Sequence, residues 1–203
     1  MSKNIEVEIR GPLSNDQAAA LRLAVASAMT HKGLFDRYMI NFTTDEMKKL
    51  GVDLRARVTN GKVELIIKKG DFLSGTRAEF PVLCAEGQFV PLVQALVAVG
   101  FVNGVGCHRV SDRYENTEME LAIIDVPGHS TFYEVEMMVA DGDKEGAGAK
   151  LKTWAEDHHL PIFTDDQFHA YVDLLDSEAN DVLHFKEESS WSRLNGRISN
   201  QKQ

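Results

Sequence analysis

Cysteine is scarce in this sequence of 203 residues, which contains only Cys84 and Cys107. Two cysteines so far apart make neither a disulfide framework nor a zinc site of the C-x-x-C type. Both lie in apolar surroundings, where small buried thiols are common in folded proteins. We therefore predict that the two cysteines have a structural role.

Positive charge is also scarce, since 22 Lys and Arg residues face 31 Asp and Glu residues, for a formal net charge of −9 at pH 7. A general nucleic-acid binder needs a basic surface that displaces counterions from phosphates. The composition therefore argues against nucleic acid as a partner. Any basic cluster in this chain must be local.

Long hydrophobic runs are missing as well. No run approaches the roughly 18 apolar residues that cross a bilayer, and no basic segment followed by an apolar one opens the chain. We therefore expect a cytoplasmic protein without a membrane partner, and leave a monomer and a homodimer open. With 43% apolar residues, we expect one domain over residues 1–186 and a disordered polar tail over residues 187–203.

The sequence is rich instead in segments where charged and apolar residues alternate. Residues 5–10 alternate without a break, residues 133–137 repeat the acidic pattern, and residues 54–58 show a basic version of it. Such alternation predicts a strand with one apolar face and one charged face. We predict strands at residues 5–10, 37–43, 54–59, 63–69, 77–82, 107–114, 118–126 and 132–139, and helices at residues 15–28, 90–99, 144–156 and 166–175.

Eight strands in mostly sequential order predict an α+β fold with an eight-stranded antiparallel β-barrel, closed or nearly closed, and helices packed outside. Asn60-Gly61 predicts a tight hairpin between the third and fourth strands. Two arrangements of the charges remain open. They could face solvent around an apolar interior, or helices near Ala18, Leu96 and Leu151 could cover the apolar faces and leave the charges inside.

Charged residues in six strands, taken in order, resemble the motifs of the CYTH superfamily, also called triphosphate tunnel metalloenzymes. This family contains class IV adenylyl cyclases, thiamine triphosphatases and inorganic triphosphatases, and it opens on a Glu-x-Glu-x-Lys strand. The resemblance covers roughly residues 3–176. It is carried by Glu6, Glu8 and Arg10 (arginine replacing the family's lysine), Arg55 and Arg57, Lys68, Arg109 and Arg113, Asp125, and Glu134 and Glu136.

The resemblance implies an oxygen-ligand site for Mg²⁺ or Mn²⁺, which the chemistry of clustered carboxylates also favours. Glu118 and Glu120 have the opposite strand parity to Asp125, so we choose Asp125 as the ligand. The implied roles are metal ligands Glu6, Glu8, Asp125, Glu134 and Glu136; triphosphate-binding residues Arg10, Arg55, Arg57, Lys68, Arg109 and Arg113; and catalytic residues Glu6, Glu8, Arg10 and Glu136.

Arg77 resembles a family position that sometimes contacts the ligand, but a solvated pair with Glu79 on a short strand is an equal alternative. The six cations chosen exceed the five anions by one. Two divalent metal ions would raise this balance to about +5, which suits a triphosphate of about −4 to −5.

Three functions are consistent with these residues. The first is a metal-dependent phosphohydrolase acting on inorganic triphosphate, thiamine triphosphate or a nucleoside triphosphate as its small-molecule partner. The second is a class IV adenylyl cyclase that makes cyclic AMP and pyrophosphate from ATP. The third is a non-catalytic module that binds polyphosphate or nucleotide. We favour hydrolysis, because we identify no pocket for adenine and ribose in the sequence.

Overall fold

The computed structural model describes residues 4–70 and 77–200. Within these residues the chain forms nine strands and six helices. The strands are β1 (Asn4–Leu13), β2 (Thr30–Asn41), β3 (Val52–Thr59), β4 (Lys62–Gly70), β5 (Arg77–Cys84), β6 (Asn103–Glu115), β7 (Glu120–Val126), β8 (Ser130–Ala140) and β9 (Asp181–His184). The helices are α1 (Asn15–Val25), α2 (Asp45–Lys49), α3 (Phe89–Ala98), α4 (Lys144–Asp157), α5 (Asp165–Glu178) and α6 (Glu188–Asn200).

The strands form one sheet in the order β1-β8-β7-β6-β2-β3-β4-β5, with β9 paired to β6. The predicted α+β fold is confirmed: all eight predicted strands are present, and β1 lies beside β8 in an antiparallel pair. Among the described residues this order ends at β1 and β5, so hydrogen bonds do not close the sheet. That is compatible with the nearly closed form that we predicted. The strand β9 and the short helix α2 were not predicted.

The Asn60-Gly61 hairpin between β3 and β4 is confirmed. Both residues have a positive φ, 47° at Asn60 and 84° at Gly61, as a tight hairpin turn requires. The Asn60 side chain accepts a hydrogen bond from the backbone N–H of Asp36 at 2.8 Å. The turn therefore sets the register in which Arg57 faces Glu64 across the two strands.

Residues 4–35, 77 and 110–173 form the first of two compact units. Ala18 and Leu21 of α1 and Leu151 of α4 pack in one buried cluster with apolar side chains of β7 and β8. Val7 and Ile9 of β1 pack against the same cluster. Because side chains alternate along a strand, the charged residues of β1 lie on the opposite face of the sheet.

The second unit comprises residues 36–70, 78–109 and 174–200. Leu96 of α3 and Leu194 of α6 belong to a buried cluster that includes Ala56 and Val58 of β3. The charged residues of β3 again lie on the face away from this core. The helices near Ala18, Leu96 and Leu151 thus cover apolar faces within their own units, as one of the two predicted arrangements requires.

The prediction of a disordered tail from residue 187 is wrong, because α6 occupies Glu188–Asn200. The low apolar content hid a helical spacing of Trp191, Leu194 and Ile198. Leu194 is fully buried, and the Trp191 indole donates a hydrogen bond to the backbone carbonyl of Phe185 at 3.1 Å. The extent of the single domain over residues 1–186 stays a prediction.

We expect Leu194→Ala to destabilise the protein by about 2–5 kcal/mol, the usual cost of a cavity left by a buried leucine. Leu23 of α1 is 80% exposed and provides the matched control. Thermal unfolding of both variants measures the difference. Equal melting temperatures for the two would contradict the buried position of α6.

Both cysteines are free, and burial raises the pKa of the Cys107 thiol to about 11. A thiol with this pKa is protonated at neutral pH and therefore a poor nucleophile.

None of the described helices is long and apolar enough to cross a membrane.

Candidate functional site

The register of four strands in the first unit aligns four glutamates in one row. Glu8 of β1 lies opposite Glu136 of β8, Glu136 lies opposite Glu120 of β7, and Glu120 lies opposite Glu115 of β6. Directly opposed residues of an antiparallel pair project from the same face, and like charges there repel. The row therefore places like charges side by side on one face of the sheet.

The neighbouring row contains two arginines. Arg10 lies opposite Glu134, Glu134 opposite Ala122, and Ala122 opposite Arg113. The small side chain of Ala122 separates the two ends of this row. The charged face of the first unit thus presents carboxylates and guanidinium groups side by side.

Three carboxylates form a cluster suited to a cation. Glu6, Glu8 and Glu136 each offer one oxygen, and these oxygens all lie within 4.8 Å of one another. All three residues are partly buried. An all-oxygen set of this kind fits Mg²⁺ or Mn²⁺ and does not suit zinc, which prefers nitrogen and sulfur ligands. The residues present therefore fit the metal that the resemblance implies.

The electrostatics of Glu136 reflect this crowding. Burial, followed by the nearby charges of Glu6, Glu120, Glu8 and Glu134, raises the pKa of Glu136 to about 8. Both effects oppose ionisation of its carboxyl group. A bound cation would act in the opposite direction and favour the carboxylate.

Arg10 is held by three contacts. Its Nε donates to Glu134 at 2.7 Å, its Nη2 forms an ion pair with Glu8, and its Cζ lies 4.6 Å from the ring centroid of Phe168. Burial lowers the pKa of Arg10, but Glu134, Glu8 and Glu6 outweigh it, so the pKa is raised overall. Arg10 therefore stays charged at every pH of interest.

Arg113 has an unused donor. Its Nη1 donates to Glu120 at 2.8 Å, and its Cζ lies 4.8 Å from the ring centroid of Phe35. Its Nε is buried and has no hydrogen-bond partner among the residues that the structure describes. Since a buried, unsatisfied N–H of a charged group is costly, this atom indicates an acceptor that the protein does not itself provide.

In the second unit, the predicted cations of β3 and β4 are paired with carboxylates. Arg55 contacts Asp53, which is fully buried. Arg57 lies 2.9 Å from Glu64 and 3.5 Å from Glu79, and Lys68 lies 3.0 Å from Glu79. Each distance joins a side-chain nitrogen to a carboxylate oxygen. These partners hold the three cations on one face of the hairpin and its neighbour.

Arg109, also in the second unit, donates from Nη1 to the carbonyl of His108 at 2.6 Å and from Nη2 to Asn180 at 2.9 Å. Asn180 in turn donates to Asp176 at 2.6 Å. Asn180 therefore orients Arg109, and no sequence signal marked it. The side chain of Arg77, the remaining predicted phosphate ligand, lies outside the described residues.

The choice of Asp125 over Glu120 is corrected by the structure. Asp125 accepts a hydrogen bond from Thr131 at 2.7 Å and lies 3.6 Å from Arg22 of α1. It shares its strand parity with Ile123 of the apolar core, on the face away from the glutamate row. Glu120 occupies that row instead, whereas Glu118 precedes β7, is exposed and lies 3.9 Å from Lys150.

Sequence reasoning also missed several anions of these charged faces. Asp53 and Glu64 alternate in phase with Arg55 and Lys68 on the same hairpin, which was a usable signal. The predicted excess of one positive charge did not count these anions. Three of them, Asp53, Glu64 and Glu115, were not considered, and the other two, Glu79 and Glu120, were considered and left out.

No family model and no curated protein matches the sequence. Among solved structures, a protein of Pyrococcus horikoshii OT3 is similar with a TM-score of 0.62 and 14% identity, over 81% of this chain and 93% of that one. A candidate adenylate cyclase of Vibrio parahaemolyticus is similar with a TM-score of 0.61 and 15% identity, over 79% and 93% of the two chains.

A third similar structure is a candidate adenylyl cyclase from Hippeastrum whose dominant activity is that of a triphosphatase. Its TM-score is 0.52 and its identity 16%, over 79% of this chain and 90% of that one. At these identities the likeness concerns the fold. The fold is the one that the resemblance to triphosphate tunnel proteins predicted.

Proposed function

We propose that this protein is a metal-dependent phosphohydrolase that cleaves a small molecule containing a triphosphate. The observation that carries the proposal is the cluster of Glu6, Glu8 and Glu136 beside two arginines, one of which has a buried N–H without an acceptor. A cation site next to unsatisfied guanidinium donors fits a phosphate chain with bound metal. The activity of the Hippeastrum protein of the same fold supports this reading.

In this proposal Glu6, Glu8 and Glu136 hold Mg²⁺ or Mn²⁺. When bound, the ion would neutralise phosphate charge and lower the pKa of a coordinated water. The protein contributes a cluster that burial and mutual repulsion make unfavourable when it is empty and ionised. Binding of the cation therefore reduces the repulsion between carboxylates that the folded chain already brings together.

The arginines bind and orient the phosphate chain. Arg113 donates from Nε to a phosphate oxygen, while Glu120 holds its Nη1. Arg10, fixed by Glu134 and Glu8, keeps a positive charge beside the cluster. Phosphoryl transfer depends chiefly on positioning and on neutralising the charge of the equatorial oxygens, which guanidinium groups do well.

For the second unit we propose that Arg55, Arg57, Lys68 and Arg109 also bind phosphate, as the resemblance implies. Their carboxylate and amide partners would keep these long side chains ordered before the ligand arrives, which lowers the entropic cost of binding. Arg113 has in addition a buried donor without a partner among the described residues, so substitution of any one of these four residues should weaken binding less than substitution of Arg113.

A cyclase is the second candidate, favoured by the Vibrio protein of the same fold. A cyclase must hold the ribose 3′-hydroxyl in line with the α-phosphate, whereas a hydrolase needs only water as the attacking group. We therefore expect that tripolyphosphate and ATP both yield orthophosphate, with Mg²⁺ or Mn²⁺ required.

The test is a panel of tripolyphosphate, thiamine triphosphate and nucleoside triphosphates, assayed with each metal for orthophosphate, pyrophosphate and cyclic AMP. Cyclic AMP and pyrophosphate in equal amounts from ATP, with tripolyphosphate acting only as an inhibitor, would establish the cyclase. Tight binding of tripolyphosphate without turnover of any compound would instead indicate a binding module.

A further inference from the structure

We propose that Phe168 and Glu134 are positioning residues for Arg10, and that Glu134 serves this purpose instead of binding the metal. The inference rests on the proposed function, since it assigns Arg10 a role toward the phosphate chain. It is carried by a contact that no predicted motif contains: the ring of Phe168, on α5, lies under the guanidinium of Arg10.

The first step is the division of the four predicted glutamates. The carboxylate oxygens of Glu6, Glu8 and Glu136 converge within 4.8 Å, and Glu134 is not part of this group. Glu134 instead accepts a hydrogen bond from Nε of Arg10 at 2.7 Å. Glu8 also contacts Arg10, but one of its oxygens still lies in the converging group, whereas Glu134 contributes none.

The second step is the fixed orientation of Arg10. Nε is held by Glu134 and Nη2 by Glu8, while the flat face lies over Phe168. Nη1 of Arg10 has no hydrogen-bond partner among the described residues. The three contacts thus fix the plane of the guanidinium and leave Nη1 to donate to a phosphate oxygen.

The third step is how the chain brings Phe168 to this place. The segment before α5 runs so close to β1 that a side chain at Gly11 would meet the carbonyl oxygen of Pro161 at 1.8 Å. The backbone N–H of Phe163 donates to the backbone carbonyl of Arg10 at 2.8 Å. Gly11 therefore permits the approach that starts α5 beside Arg10.

This arrangement also accounts for arginine at a position where the resembling family has lysine. A guanidinium is flat, donates in several fixed directions and stacks on aromatic rings, whereas an ammonium is a compact point charge. Only the guanidinium can contact Glu134, Glu8 and Phe168 in one fixed plane. Arg10 and Phe168 therefore form one functional pair in this chain.

The first experiment measures metal binding without turnover, by titrating Mn²⁺ into metal-free protein in a calorimeter. We expect Glu136→Gln to weaken Mn²⁺ binding by more than about a hundredfold and Glu134→Gln by less than about tenfold. The two residues share one strand and one face, so each controls for the other. Equal losses would overturn the role given to Glu134.

The second experiment measures tripolyphosphate binding. We expect Phe168→Leu to weaken tripolyphosphate binding by about threefold to tenfold, as loss of a cation–π contact implies. Phe168→Tyr, which keeps an aromatic ring, should bind tripolyphosphate as tightly as the native protein does. Trp154→Leu is the control, because Trp154 is an aromatic residue of the same unit that packs against the apolar cluster on the other face of the sheet. An equal effect of Trp154→Leu and Phe168→Leu would overturn the inference.

A spectroscopic measurement separates failure of this inference from failure of the proposed function. The ¹H–¹⁵N signal of the Arg10 Nε–H, assigned by its loss in Arg10→Lys, should shift in Phe168→Leu and Glu134→Gln but not in Trp154→Leu. If these shifts occur and the native protein does not bind tripolyphosphate, the proposed function is wrong while the positioning of Arg10 stands. If tripolyphosphate binds but the Arg10 Nε–H signal does not shift in Phe168→Leu and Glu134→Gln, the proposed positioning of Arg10 is wrong.

Discussion

Glu136→Gln should abolish metal-dependent turnover while making the metal-free protein more stable at alkaline pH. The substitution removes one anionic ligand from the cluster with Glu6 and Glu8 and keeps the size of the side chain. We expect a loss of activity of more than about a hundredfold, measured as orthophosphate release with Mg²⁺ or Mn²⁺. Glu6→Gln should cause the same loss of activity.

The stability effect follows from the raised pKa of Glu136, about 8 in the folded protein against an ordinary value of 4.5. The folded state therefore binds a proton more tightly than the unfolded chain. The stability that this tighter proton binding gives to the folded state is complete below about pH 4.5 and is lost as the pH rises through about 8. At pH 9 the native protein carries the full repulsion, which the glutamine variant lacks.

We accordingly expect the melting temperature of Glu136→Gln to equal that of the native protein at pH 4 and to exceed it by about 2–6 °C at pH 9. Both proteins are measured after treatment with a chelator. Glu118→Gln is the control, because Glu118 precedes β7, is exposed and has Lys150 as its neighbour. A melting temperature of Glu136→Gln below that of the native protein at pH 9 would show that the Glu136 carboxylate stabilises the fold and is not repelled by its neighbours.

Much of this arrangement follows from alternation along the strands. The pattern at Glu6 and Glu8 and again at Glu134 and Glu136 predicts two charged strand faces, and the expected pairing of the first strand with the last of eight brings them together. The structure places Glu8 directly opposite Glu136. Antiparallel register thus needs only the pattern and the strand order, which a single sequence contains.

The parity of β7 was harder to assign. The sequence shows that Glu120 and Asp125 must lie on opposite faces, but both faces of this strand are flanked by polar groups, so alternation does not say which one joins the cluster. The answer depends on Arg22 of α1, whose guanidinium lies near Asp125. That contact joins a helix and a strand 103 positions apart in the numbering, and no local pattern reports it.

The failure at α6 has a different cause. Composition suggested disorder because the last stretch is polar, yet a helix needs only one apolar stripe to dock. Trp191 and Leu194 form that stripe, and Arg197 pairs with Asp181 of β9 at 2.9 Å. The same reasoning applies to Phe168, whose contact with Arg10 depends on how α5 packs and not on any motif.

Arg113→Ala should remove most of the thermal stabilisation that tripolyphosphate gives to this protein. A ligand at about a hundred times its dissociation constant adds about 2.7 kcal/mol, or roughly 5–10 °C in a chain of this size. Arg113 supplies the buried Nε–H without a partner, and a charge-assisted bond from it would account for a tenfold to hundredfold change in affinity, by rough estimate.

Arg113→Lys distinguishes charge from geometry. A lysine keeps the positive charge opposite Ala122 but lacks the Nε donor and the flat contact with Phe35. If the guanidinium geometry matters, the lysine variant should recover only a small part of the stabilisation. Full recovery would mean that Arg113 contributes its charge alone.

The matched control for Arg113 is Arg22→Ala, in the same unit and on the other face of the sheet. Arg22 pairs with Asp112 at 2.9 Å, so its loss lowers the melting temperature of the free protein. The further rise in melting temperature on adding tripolyphosphate should be as large as in the native chain.

Orthophosphate should raise the melting temperature far less than tripolyphosphate in the native protein, since it offers one phosphate where the proposed site accommodates three. Equal shifts with both ligands, or equal losses in the two alanine variants, would mean that the charged face of the first unit does not bind a phosphate chain.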